Sequence, residues 1–146
     1  MNTHLQNPAN FDRMAADTAA LVGRILVALI FIISAFGKIT GYAGTAGYMA
    51  SKGLPMVDVL LPLTILVELG GGLLIAIGWK ARWAAAALFL FLIPVTLVFH
   101  NPAGLAGFEA QQQTINLLKN LSIMGGMLCL FAFGPGRFSF DAKQTD

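Results

Sequence analysis

The chain has 146 residues, 57% of them hydrophobic and only 11% charged, with a formal net charge of +2. Soluble domains carry about 25% charged residues, so this composition selects an integral membrane protein, with length enough for one domain. The basic residues are scattered, and no aromatic ladder or zinc-ligand spacing accompanies them, which argues against nucleic acid as a partner and against a metal centre.

Taken in order, the opening "MNTHLQNPANFDRMAAD" lacks the basic region of a cleaved signal peptide. It reads as a polar tail over 1–17 that is kept in the mature chain. Four apolar stretches follow, at roughly 18–37, 57–78, 83–99 and 114–133, each long enough to cross a hydrocarbon core of about 30 Å. Lipid-exposed irregular backbone is excluded there, so all four are helices. The expected architecture is therefore all-α, a four-helix transmembrane bundle over 18–137 with a polar C-terminal tail over 138–146.

Polar residues recur within the spans. Span one carries Arg24, Ala28, Phe31, Ala35 and Lys38 on one face, with Ser34 adjacent. Between spans one and two, "GYAGTAGYMASKGLP" fits either a short amphipathic interfacial segment or a flexible loop. Span two places Glu68 within "LTILVELGGGLLIAIGW", where a carboxylate is unfavourable by ~2.5–3.5 kcal/mol on insertion scales. Thr64, Gly71 and Gly72 share its face, and the glycines let a neighbouring helix approach closely. Pro62 and Pro94 each leave one main-chain carbonyl without its helical donor.

Span three ends in Thr96 and His100, and "HNPAGLAGFEAQQQ" is a polar, turn-rich loop. Span four brings Asn116, Lys119 and Asn120 together, and "FGPGRF" ends it. Its single cysteine, Cys129, cannot form an internal disulfide or a CxxC pair and reads as a small buried hydrophobe.

Basic residues set the expected topology. Arg13, Lys80, Arg82, Arg137 and Lys143 fall at one end of the bundle, against Lys38 and Lys52 at the other. Both termini and the turn "WKARW" are thus expected in the cytoplasm, with Trp79 and Trp83 as interfacial anchors. Counted inward from the outer boundary at 1.5 Å per residue, Glu68 lies about 16 Å deep, Arg24 about 21 Å and Lys119 about 5 Å. Arg24, with its bidentate fork, is the expected partner of Glu68. Lys38, Asp58, His100, Lys119 and Asn120 are expected to gather round a hydrated cavity opening outward. The plainer alternatives are an ion pair that only fixes helix register, a Lys38 that snorkels to the interface and an interfacial His100.

These residues, in this order, resemble the DoxX family of small bacterial membrane proteins. The resemblance rests on "GRILVALIFIISAFGKIT", "YMASKGLP", "LVELGGGLLIAIGWKAR", "LVFH" and "LLKNLSIMGGMLCLFAFGPGRFSFD". It implies a four-helix protein of the bacterial inner membrane. Some relatives in that family are subunits of a thiosulfate:quinone oxidoreductase, and others are linked to quinone or oxidative-stress responses.

The resemblance thus leans towards a quinone- or redox-associated membrane subunit, with quinone as the candidate cofactor. Lys119, Asn120 and His100 would donate to its carbonyl oxygens, and Glu68 would relay protons. The sequence has no haem motif, flavin fingerprint or thiol pair, so a redox partner would supply electrons, and whether the chain is itself an enzyme stays open. Two alternatives stand beside this reading: a non-catalytic assembly or scaffold protein, and a small proton-coupled transporter acting as a homo-oligomer.

Overall fold

The computed structural model describes residues 8–144, with side chains over 11–143. The described residues form five α-helices, α1 (Pro8–Thr40), α2 (Tyr42–Ser51), α3 (Val57–Ile77), α4 (Ala81–Phe99) and α5 (Gly107–Phe133), and a short 3-10 turn at Ala142–Gln144. No strand occurs among the described residues. Four of the helices are long and apolar enough to cross a membrane, as the hydrophobic stretches predict. The 21 residues of α3 and 19 of α4 rise about 30 Å each, one hydrocarbon thickness.

Three boundaries move. The described part of the N-terminal tail, from Pro8, is the beginning of α1, while 1–7 and 145–146 lie outside the described residues. The segment after span one is the helix α2, seated by buried Met49 and by Tyr48, whose ring lies 5.6 Å from that of Phe99. The loop before span four is shorter than its composition suggests, because α5 begins at Gly107.

α1 packs on α3, α3 on α4 and α4 on α5, whereas α1 and α5 scarcely touch and leave a seam along the bundle. The core is a narrow column that includes Ala28, Phe31, Ile75, Leu88, Leu92 and Met127. Outside it, large apolar side chains such as Leu66 and Leu97 face outward. That pattern suits a lipid solvent, where tails are as apolar as leucine and close packing, not burial, drives helix association.

The helix register follows from the glycines. A Cβ on Gly72 would lie 2.9 Å from Ile32 Cγ1 and 3.3 Å from the Ala28 carbonyl oxygen, and one on Gly71 would lie 2.8 Å from Leu88 Cγ. Only glycine permits α1 and α4 to approach α3 this closely. With Gly72 set against Ala28 and Phe31 and the helices antiparallel, a rise of 1.5 Å per residue puts Glu68 roughly level with Ser34, and Arg24 about 15 Å away, level with Gly78.

Candidate functional site

That register decides which cation meets Glu68. Lys38 Nζ donates to Glu68 Oε2 at 2.8 Å and Oε1 at 3.0 Å, and to Ser34 Oγ at 2.6 Å. Lys38 lies one turn beyond Ser34, so its side chain reaches back along α1 to the carboxylate. The expected Glu68–Arg24 pair does not form. Counting each span from its own boundary placed the two groups about 5 Å apart in depth, whereas the glycine contact separates them by about 15 Å. The Lys38–Glu68 ion pair is the only one formed among the described residues. Glu68 is 5% exposed, so the carboxylate is held by the lysine and serine rather than by solvent.

The pair forms one wall of a cavity of about 150 Å³. α1 contributes Ser34 and Lys38, α3 Glu68, and α5 Lys119 and Asn120, while His100 closes the end of α4. Ile30, Phe31, Leu92, Val95 and Ile123 complete the lining with apolar surface. Five of the six sequence-predicted site residues therefore meet here. Asp58, expected with them, does not; it stands exposed in the first turn of α3.

Hydrogen bonds fix the rim. Asn120 Nδ2 donates to Thr96 Oγ1 at 3.0 Å, and both residues are buried. Lys119 Nζ donates to Asn116 Oδ1 at 3.1 Å, one of its three hydrogens. His100 Nδ1 lies 3.1 Å from Gln113 Oε1. With that amide oxygen accepting, Nδ1 carries the hydrogen and Nε2 is left over as an acceptor. The cavity thus offers a carboxylate, two ammonium groups, an imidazole and an amide against an apolar wall.

Arg24 has a different task. Its Nη1 donates to the Pro135 carbonyl at 2.6 Å and its Nη2 to the Phe138 carbonyl at 2.7 Å. The C-terminal segment is thereby clasped between α1 and the α3–α4 turn. Asp141 Oδ1 accepts from the Lys80 amide at 2.7 Å and Oδ2 from that of Ala81 at 3.0 Å, capping α4 from sixty residues away in sequence. In return the Asp141 amide donates to the Gly78 carbonyl at 2.9 Å. Gly78, at φ +76°, admits no Cβ, since one would lie 2.5 Å from Ser139 Cβ and 2.8 Å from Arg24 Nη1.

The comparisons agree with this architecture. A profile of the DoxX family matches residues 19–101. Inner membrane protein YqjF of Escherichia coli (strain K12) is 42% identical over 125 residues, 86% of this chain and 91% of that protein. Inner membrane protein YphA of the same organism is 35% identical over 123 residues, 84% and 88% of the two chains. The chain belongs to the DoxX family. No solved structure matches it. Four apolar spans and these relatives together make this DoxX protein an integral inner-membrane protein.

The family match contains Arg24, Lys38, Glu68 and His100 but ends before Lys119, Asn120 and the C-terminal segment that Arg24 clasps. Sequence reasoning missed Gln113 and the clasp residues Gly78, Ser139 and Asp141. The available signal for the clasp was "GPGRFSFD", a turn followed by alternating aromatic and polar residues instead of a solvated tail. Cys129 also departs from expectation: it is exposed, because α5 buries its Asn120–Met127 face instead.

Proposed function

We propose that this DoxX protein is a quinone-associated subunit of a redox system in the bacterial inner membrane, with both termini in the cytoplasm. One observation carries the reading: three spans deliver polar groups to a single cavity, and His100, just past the end of the fourth, closes it. A quinone head group needs an apolar slot with a few placed donors for its carbonyl oxygens. Ile30, Phe31, Leu92 and Ile123 supply the slot, and Lys119 and Asn120 supply the donors. Glu68 and His100 lie on the same cavity as proton acceptors. The seam between α1 and α5 gives a lateral route from the bilayer, and a partner protein supplies the electrons. The cluster of Arg13, Arg82 and Arg137 at the α3–α4 end supports the orientation.

A structural reading is favoured by one feature, the full satisfaction of the Lys38 ammonium by three acceptor atoms. Purification from native membranes followed by solvent extraction separates the two. The quinone reading expects bound quinone in the wild type, lost in Lys119→Met and Asn120→Leu at unchanged membrane abundance. Absence of quinone, with Glu68→Gln altering abundance alone, would establish the scaffold role instead.

A further inference from the structure

A second concavity, of about 260 Å³, lies in the α1–α5 seam towards the α3–α4 turn. Its walls are Ala19, Gly23 and Val27 of α1 against Gly126, Cys129 and Phe133 of α5. No described residue fills it. A Cβ on Gly23 would meet no atom within 4 Å, and one on Gly126 would meet only Val27 Cγ2, at 3.7 Å. The sides are thus apolar and narrow, the shape of an acyl chain.

The head of the groove is cationic. Arg24 lines it at 4% exposure, and its Nε is buried without a hydrogen-bond partner, while both Nη atoms are committed to the C-terminal carbonyls. Arg82 reaches the same place, its Nη2 3.1 Å from the Cβ position of Gly134, which also lines the groove. No carboxylate lines it. The nearby Asp17 and Asp141 accept from the main-chain amides of Arg137 and of Lys80 and Ala81. Among the described residues at this end of the bundle, Arg13, Arg24, Lys80, Arg82, Arg137 and Lys143 outnumber Asp12, Asp17 and Asp141, an excess that attracts anionic headgroups.

We propose that this groove is a binding site for an anionic diacyl phospholipid. One acyl chain lies along α1 and α5, and the phosphodiester sits at Arg82, above the buried Arg24. The phosphate pairs with the exposed Arg82 guanidinium, the buried Arg24 adds its charge at the head of the groove, and the acyl chain bridges two helices that otherwise barely meet. The inference stands apart from the polar cavity and its ligand.

The test uses the full chain, delipidated in an uncharged detergent and mixed with phosphatidylglycerol or phosphatidylcholine of identical acyl chains. Native mass spectrometry then reads retained lipid. At about 1 kcal/mol per arginine, phosphatidylglycerol is favoured by roughly thirtyfold. Arg82→Gln, on an exposed side chain that leaves the fold intact, lowers that preference by about fivefold. Gly126→Leu fills the groove and abolishes retention, whereas Gly70→Leu, which meets no atom within 4 Å at its Cβ, retains the lipid. Equal retention of the two lipids, or undiminished phosphatidylglycerol in Gly126→Leu, overturns the proposal.

Discussion

Arg24 and Lys38 occupy one face of α1, with buried Ala28, Phe31 and Ala35 between them, yet they meet opposite kinds of partner. Arg24 donates to two main-chain carbonyls and locks a terminal segment in place. Lys38 donates to a side-chain carboxylate that lines open volume. The planar guanidinium fork spans carbonyls three residues apart along a turn, a geometry that a compact ammonium matches poorly. The ammonium, for its part, collects three acceptors, Ser34 one turn back on α1 and both carboxylate oxygens of Glu68 on α3. Similar charges on one helix face can thus serve closure at one end and a site at the other, and depth in the bundle decides which.

Mutations can break this division, beginning with the clasp. Arg24→Met strands the Pro135 and Phe138 carbonyls. Losing two hydrogen bonds from a charged donor should cost on the order of 3 kcal/mol or more, read as a lowered unfolding midpoint in detergent and faster proteolysis after Phe133. At the cavity, Glu68→Gln leaves Lys38 facing a neutral amide. Lys38 keeps 23% side-chain exposure, so the loss is smaller than for a fully buried pair, about 2 kcal/mol. Lys38→Met combined with Glu68→Gln should recover part of it, since both charges are then gone.

Asp141→Ala removes the cap of α4 and should cost about 1 kcal/mol, seen as faster amide exchange at Lys80 and Ala81 with the cavity residues unaffected. The smallest effect belongs to Gly70→Ala, where nothing lies within 4 Å of the new methyl. A shift of at most about 1 kcal/mol, stabilising by helix propensity, is expected. The same change at Gly71 drives a methyl against Leu88 and should lower the midpoint.

Much of this was legible in the sequence. Hydropathy and length give the four spans, and helical spacing gives the faces that bury Arg24, Ala28, Phe31 and Ala35 and that turn Glu68 and Gly72 inward. The gathering of Lys38, His100, Lys119 and Asn120 follows from those faces, whereas Asp58, expected with them, stays outside and Glu68, expected beneath them with Arg24, joins them. The partner of Glu68 does not follow from the faces, because it depends on how α1 slides against α3, and a shift of a few residues exchanges one cation for another. Only the contact of Gly72 with Ala28 and Ile32 sets that register. The clasp was hidden for a related reason: Asp141 and Lys80 are distant in sequence, and the hydrogen bonds between them involve main-chain groups whose pairing composition does not reveal.

The central claim is that Glu68 belongs energetically to Lys38 and not to Arg24. Two double-mutant cycles, Glu68→Gln with Lys38→Met and Glu68→Gln with Arg24→Met, measured by denaturation in mixed micelles, test it directly. The structure predicts a Lys38–Glu68 coupling of about 1–3 kcal/mol and an Arg24–Glu68 coupling within about 0.5 kcal/mol of zero. A large Arg24–Glu68 coupling with none between Lys38 and Glu68 would contradict the account.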